Sequence, residues 1–371
     1  MKKIIIIIGT RPELIKLFPV YNEFKNKNNF KLSVCFTGQH EELIEETNKI
    51  FQIPFDKRFN NTNKKNNLNI LSSNIIKKLN FLFLEKKPDL IIVQGDTTTT
   101  MISSICAFNL QIPIAYIESG LRTYNLTSPF PEEANRQIIS RISNLNFCPT
   151  KQNYKNLKKE KTDGKSYIVG NTVIDAIKFV LRQNQISKKE IFSKLGIKKN
   201  YEKYILITAH RRENFGQNYL NIINAINQLS KKNSNVLIVF ISHPNPNVQN
   251  LLKSNLIIRN NVCLMGSLNY LNFIFLIKHS YFVISDSGGI QEEISILNKP
   301  LLMIRNNTER SEGIKNGFIK KVGTSTTIIV NYANKLLSNI KFYKSMINKD
   351  NPFGDGKSSV RIYKIINNFL K

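Results

Sequence analysis

The chain has few cysteines and nothing to join them. Cys35, Cys106, Cys148 and Cys263 are the four in 371 residues, and they stand far apart. No C-x-x-C pair or Cys/His ligand spacing occurs, which argues against a structural zinc. Cys35 and Cys106 lie in apolar runs and read as buried thiols, the usage of a reducing cytoplasm. Long hydrophobic runs are missing too: none approaches the ~20 residues of a membrane span. Met1-Lys2-Lys3 before residues 4–8 has the charge of a secretory leader. The apolar run is too short, however, and ends at Gly9-Thr10-Arg11-Pro12-Glu13, so a first buried strand is the better reading. Neither half carries G-x-G-x-x-G after its first strand, which argues against a tightly bound nicotinamide or flavin dinucleotide. The absence of a Walker A sequence argues against ATP chemistry. Acidic residues are scarce, 26 against 54 Lys and Arg, for a formal charge of +28. That balance suggests a nucleic-acid partner, but the lysines are scattered (Lys158-Lys159, Lys188-Lys189, Lys231-Lys232) and no Arg/Lys tract interleaves with aromatics. The chain is rich in Lys, Asn and Ile together, residues that share AT-rich codons, and this accounts for the charge. Neither nucleic acid nor membrane is expected as a partner. The positive field still attracts an anionic substrate at low salt.

What is present is a regular alternation. The length predicts two domains of roughly 150 to 190 residues, and a hydrophobic content of 41% supports ordinary packed cores. Short apolar runs at 4–8, 32–36, 90–93, 114–116 and 146–148 are separated by amphipathic stretches such as 14–26, 41–51 and 99–109. The pattern returns at 204–208, 236–241, 282–285 and 301–304. Alternating β and α elements predict parallel sheets covered on both faces, with ligands at the carboxyl ends of the strands. The halves echo each other: Arg11-Pro12-Glu13 ends the first strand of one, and His210-Arg211-Arg212-Glu213 that of the other. Gln94-Gly95-Asp96-Thr97 pairs likewise with Ser285-Asp286-Ser287-Gly288. The fold class is therefore α/β, with two Rossmann-like domains whose parallel sheets face across a cleft. Residues 1–170 form the first domain, onto which a closing helix at about 355–371 packs back. Residues 171–354 form the second. Residues 60–69 read as a polar loop.

The strongest single signal is Ile284-Ser285-Asp286-Ser287-Gly288-Gly289-Ile290-Gln291-Glu292-Glu293. Residues 281–284 read as a buried strand, followed by a Ser-Gly-Gly turn and a helix from Ile290. The glycines admit close backbone approach. The helix start offers unpaired N–H groups and a positive dipole end to an anion such as phosphate. Glu292 and Glu293 are expected in the first helical turn, where a carboxylate can meet ribose or sugar hydroxyls. The combination suits a nucleotide sugar. It equally fits a helix start whose acids complement the dipole.

Other ionisable residues follow strand ends: Arg11, Glu13 and Lys16; Asp96; Glu118; Glu132 and Glu133; His210, Arg211 and Arg212; Thr308-Glu309-Arg310. Each has a plainer reading. Asp96 can cap a helix, Glu132 and Glu133 can be first-turn acids after Pro131, and Arg211 and Arg212 can be solvated. His40, His243 and His279 read as packing or surface residues. Convergence favours function: three carboxylates, a histidine and several arginines at one ligand edge can supply an acid and a base.

The chain resembles the non-hydrolysing UDP-N-acetylglucosamine 2-epimerases, nearly end to end. The resemblance is carried by Gly9-Thr-Arg-Pro-Glu13, Gly95-Asp-Thr-Thr-Thr-Thr100, Ile117-Glu-Ser-Gly-Leu-Arg-Thr123, Ser128-Pro-Phe-Pro-Glu-Glu133, Gly170-Asn-Thr-Val-Ile-Asp175, His210-Arg-Arg-Glu213, Asp286-Ser-Gly-Gly-Ile-Gln-Glu-Glu293, Thr308-Glu-Arg310 and Asn351-Pro-Phe-Gly-Asp-Gly356. It implies the GT-B fold, a homodimer, a cytoplasmic isomerase and a UDP-sugar substrate, with neither metal nor NAD as cofactor. By motif it assigns Asp96, Glu118, Glu132 and His210 as catalytic. It assigns Arg11, Lys16, Phe273, Ser287, Gly288, Gly289, Glu293 and Arg310 as substrate-binding. The implied reaction inverts C2 by eliminating UDP to a 2-acetamidoglucal and adding it back, supplying N-acetylmannosamine-type sugars for surface polysaccharide. A hydrolysing relative that releases free sugar and a GT-B glycosyltransferase are the rivals. Some positions depart from the family: Leu268 replaces a glutamine near the uracil, Ser311 replaces a proline, and Glu46 replaces a glutamine of the activating substrate site. A charge at Glu46 pointing inward would weaken that activation; a solvent-facing Glu46 would not.

Overall fold

The computed structural model describes residues 1–60, 67–198, 201–211, 214–305 and 310–371, without the side chains of Glu42, Leu43 and Ser311. The expected features at 61–66, Arg212, Glu213, Thr308 and Glu309 lie outside the described residues. The chain forms two compact units, 1–179 with 353–371, and 180–352.

In the first unit the strands are β1 (Lys2–Ile8), β2 (Phe30–Phe36), β3 (Lys57–Arg58), β4 (Leu90–Gln94), β5 (Ile114–Ile117), β6 (Leu145–Cys148) and β7 (Lys165–Ile168). Among the described residues they make one sheet in the order β3-β2-β1-β4-β5-β6-β7, and every pairing is parallel. β1 lies in the middle, which is why it reads as unbroken isoleucine: Ile4 to Ile8 are all at most 3% exposed. Each such side chain contributes roughly 1.5–3 kcal/mol on burial. Strand β1 ends at Ile8, and helix Arg11–Phe24 starts with Pro at its first turn and with Glu13 reaching back to accept from Thr10 N at 2.8 Å.

The closing helix Ser358–Phe369 packs on helix Arg11–Phe24, with Tyr363 edge-on to Phe24 at 5.1 Å between ring centroids. Its start is pinned by the buried Asp175, which accepts from Ser359 N (2.9 Å), Ser359 Oγ (2.8 Å) and Ser358 N (3.3 Å). Gly170 has a φ of +91°, and a Cβ there would come within 2.6 Å of Ser358 Oγ and 3.3 Å of Gly354 Cα. Glycine is therefore required where the two chain segments meet.

In the second unit the strands are β8 (Lys203–Ala209), β9 (Val236–Ser242), β10 (Val262–Met265), β11 (Phe282–Ser285), β12 (Leu301–Met303) and β13 (Ile319–Lys321). Among the described residues they form a second all-parallel sheet, β10-β9-β8-β11-β12-β13. Its core joins Ile205, Ile207, Phe240, Phe282 and Ile284 to helices Gln217–Lys232 and Thr326–Ser338. Both sheets have the doubly wound order, with the strand order reversing between β1 and β4 in one and between β8 and β11 in the other. Ligands of such sheets bind outside the carboxyl ends of the strands at that reversal.

Candidate active site

The first unit gathers its candidates at the β1/β4 reversal. Glu13, buried, accepts from Gly9 N (2.5 Å), Thr10 N (2.8 Å) and Thr100 Oγ1 (2.9 Å), and from the Thr97 hydroxyl. Burial pushes its pKa up, opposed by those hydrogen bonds. It fastens the loop after β1 to the loop after β4. Arg11 begins its helix half-exposed, and its charge, after burial, helps to lower the pKa of nearby His40.

Asp96 follows β4. Its Oδ2 accepts from Arg136 Nε at 2.8 Å and lies 2.7 Å from Arg136 Nη2, and the side chain is 27% exposed. The cap of helix Thr98–Asn109 is Thr97, which accepts from Thr100 N. Asp96 is therefore not spent on capping.

Glu118 ends β5 with a φ of +67°, a left-handed conformation that costs a side-chain-bearing residue of order 1–3 kcal/mol. Its carboxylate is buried and held by Lys16 Nζ at 2.5 Å, Asn171 Nδ2 at 3.2 Å and the Gln94 amide.

Glu132 and Glu133 open helix Glu132–Ile142 after Pro131, and the structure separates their roles. Glu133 is fully buried and accepts from Thr123 N (2.9 Å), Tyr124 N (3.1 Å) and Gln137 Nε2 (2.9 Å), which fixes the preceding loop. Glu132 has a buried Oε2 with no hydrogen-bond partner among the described residues. An orphaned buried acceptor is uncommon and marks a place where a ligand, water or proton belongs. Glu46 is exposed on helix Glu41–Phe51, which favours the reading that its charge is solvated.

The second unit gathers its candidates at the β8/β11 reversal. His210 follows β8, and its ring is 43% exposed with Nδ1 3.3 Å from Asp286 Oδ1. Asp286, fully buried, also accepts from His210 N (3.0 Å), Arg211 N (2.9 Å) and Asn214 Nδ2 (2.9 Å). Ser287 stands at the N-cap position of helix Gly288–Leu297, without a side-chain cap hydrogen bond. Here the expected layout needs correction. Gly288 and Gly289 are not a turn before the helix but its first two residues, so Glu292 and Glu293 fall in the second turn. The glycines themselves contribute first-turn amides, which have no intrahelical acceptor, and a Cβ built on Gly289 meets no atom within 4 Å. Glu292 is buried against Arg310, whose Nε donates to it at 2.6 Å. Glu293 is 9% exposed. Phe273 is half-buried on helix Tyr270–His279, just after half-buried Leu268. His243 turns inward to accept from Asn245 N at 3.1 Å.

The UDP-N-acetylglucosamine 2-epimerase family model matches residues 22–367. The chain belongs to this family. Its members are isomerases, and two doubly wound Rossmann-like units are the family's GT-B architecture. The UDP-N-acetylglucosamine 2-epimerase of Campylobacter jejuni is 39% identical over 99% of this chain and 97% of its own. That of Neisseria meningitidis serogroup A is 41% identical over 96% and 97%. A crystal structure of the Neisseria meningitidis enzyme bound to UDP-GlcNAc superposes with a TM-score of 0.92 at 40% identity, over 99% of this chain and 100% of that one. A Methanocaldococcus jannaschii enzyme in complex with UDP-GlcNAc and UDP gives 0.82 at 30% identity, over 99% of each chain.

Among the described residues no group of His, Cys, Asp and Glu is arranged to hold a metal ion, and no helix is long and apolar enough to cross a membrane. Sequence reasoning missed four polar residues of the site: Gln94 and Asn171 on Glu118, Arg136 on Asp96, and Asp286 on His210. Asp286 sits in the most telling motif, but nothing in the sequence tied it to a residue 76 positions away.

Proposed function

We propose that the protein interconverts UDP-N-acetylglucosamine and UDP-N-acetylmannosamine by inversion at C2. What supports this reading is the set of acids in the first unit, Asp96 held by Arg136, Glu118 held by Lys16 and Glu132 with its orphaned buried oxygen, in a chain whose relatives crystallise with UDP-GlcNAc.

The C2 hydrogen has no neighbouring carbonyl, so simple deprotonation is too costly. Elimination avoids the carbanion. As a base removes the C2 proton, the C–H pair forms the C1–C2 double bond and the C1–O pair leaves with UDP. Readdition returns a proton to the opposite face of C2 while a diphosphate oxygen attacks C1. Asp96, Glu118 and Glu132 are the candidates for moving these protons. The first-turn amides of Gly288 and Gly289, Ser287, the positive groups Arg11 and Arg310, and His210 are suited to the charge that builds on the diphosphate. Lys16 serves both substrate and Glu118, Phe273 faces the uracil, and Glu293 the ribose.

On this reading the reaction uses neither metal nor NAD. The product supplies N-acetylmannosamine-type sugars for surface polysaccharide, made in the cytoplasm. A homodimer fits the apolar side chains left on three neighbouring helices: Phe81 on Leu68–Lys86 (64% exposed), Phe108 on Thr98–Asn109 (56%) and Ile138 on Glu132–Ile142 (41%).

Product identity tests the function. Purified protein with UDP-N-acetylglucosamine and a chelator should yield UDP-N-acetylmannosamine. Free N-acetylmannosamine with UDP would indicate a hydrolase, and turnover only with an added acceptor would indicate a glycosyltransferase.

A further inference from the structure

Asp286 accepts from several groups at once, and its two oxygens carry unequal shares. Oδ2 takes the scaffold: His210 N at 3.0 Å, Arg211 N at 2.9 Å and Asn214 Nδ2 at 2.9 Å. Asn214 also reaches the Ile304 carbonyl at 3.3 Å, tying in the end of β12. Oδ1 shares the His210 N–H at a longer 3.2 Å and faces the imidazole, 3.3 Å from His210 Nδ1. The side chain is fully buried while the ring is 43% exposed.

An ionised carboxylate only accepts hydrogen bonds, so the nitrogen that faces it must carry the ring proton. The bond made by one ring nitrogen then decides what the other can do. Asp286 is also the residue before Ser287, whose N–H is held by Ser285 Oγ at 3.0 Å, and Ser285 Oγ in turn lies 2.7 Å from Thr208 Oγ1 on β8. Histidine and helix amides thus hang from one rigid corner.

We propose that Asp286 is the positioning residue of His210: it fixes the Nδ1–H tautomer and aims Nε2 into the site beside the amides of Gly288 and Gly289. This rests on the reading of His210 as an active-site group. Nε2 is then the ring atom that meets the substrate, and only when the ring is protonated does it become a donor to the diphosphate.

Asp286→Asn separates positioning from folding. Its amide oxygen can keep the three shorter contacts of Oδ2, while its NH2 replaces Oδ1, gives up the longer contact with His210 N and donates to Nδ1, forcing the proton to Nε2. The chain has four histidines, His40, His210, His243 and His279, so long-range proton–nitrogen spectra of histidine-labelled full-length protein are assignable, with His210→Ala identifying the signal. At a pH where the ring is neutral, the unaltered protein should show His210 with the proton on Nδ1, and Asp286→Asn should move it to Nε2. Turnover should fall by at least ~100-fold, as when a triad aspartate is exchanged for asparagine. UDP affinity should change less than threefold. In a His210→Ala background the same substitution should cost nothing further. A proton on Nε2 in the unaltered protein overturns the proposal, and so do losses that simply multiply in the double variant. The spectrum does not depend on turnover. A protein without epimerase activity would therefore sink the functional reading while the tautomer still tests Asp286.

Discussion

Lys16→Met isolates the electrostatics of the Glu118 pocket. The two charges are 2.5 Å apart with side chains 11% and 6% exposed, so solvent does little to screen them and the small worth of surface pairs does not apply. Removing the lysine leaves a buried carboxylate with the amides of Gln94 and Asn171 as its described donors. Breaking a buried pair from one side costs about 3–5 kcal/mol. In a unit of roughly 200 residues each kcal/mol lowers Tm by about 2–4 °C, so the first unit should melt ~6–20 °C lower. Adding Glu118→Gln removes the uncompensated charge and should restore most of that loss, because replacing both partners of a buried pair is often near neutral. It should not restore turnover, since one of the three candidate proton carriers is gone. Calorimetry of the full-length single and double variants, with product assays on each, reads both effects. A Lys16→Met shift below ~2 °C, or a double variant no more stable than the single, would refute the reasoning.

Asp96→Asn, Glu118→Gln and Glu132→Gln keep size but remove a base, and each should lower turnover by at least ~100-fold in a steady-state assay. Arg310→Ala should weaken UDP binding by calorimetric titration, and also cost stability, since it strands Glu292. Burial pushes the Cys35 and Cys148 thiols up to about 12 and Cys106 to about 11. At pH 8 these stay protonated, so iodoacetamide should label half-exposed Cys263 first and all four only in denaturant, as read by mass spectrometry. Phe81→Glu places a charge in the apolar patch and should convert a dimer into monomer by sedimentation; a monomeric unaltered protein would contradict the assembly.

The central strands were legible because strands buried on both faces are written as short unbroken apolar runs. Residues 4–8, 90–93, 236–241 and 282–285 all fall within β1, β4, β9 and β11. The strands that sequence reading passed over are β3, β7, β10 and β13, the four sheet edges. Edge strands are covered on fewer sides: β3 is two exposed residues, and β10 buries only Val262. The site was legible as motifs at strand ends. Its second layer was not, because Arg136 reaches Asp96 across 40 residues and Asn171 reaches Glu118 across 53. Likewise the helix start at Gly288 was misplaced because glycine reads as a turn residue, whereas here its lack of a side chain leaves the first helical turn open.

The central claim is that C2 is inverted by proton removal and return. Proton NMR of UDP-N-acetylglucosamine in deuterated buffer with the full-length protein, without metal or NAD, tests it in one time course. The account predicts UDP-N-acetylmannosamine with deuterium at C2, and deuterium appearing at C2 of recovered substrate as equilibrium approaches. Product that keeps its original C2 hydrogen throughout would contradict it.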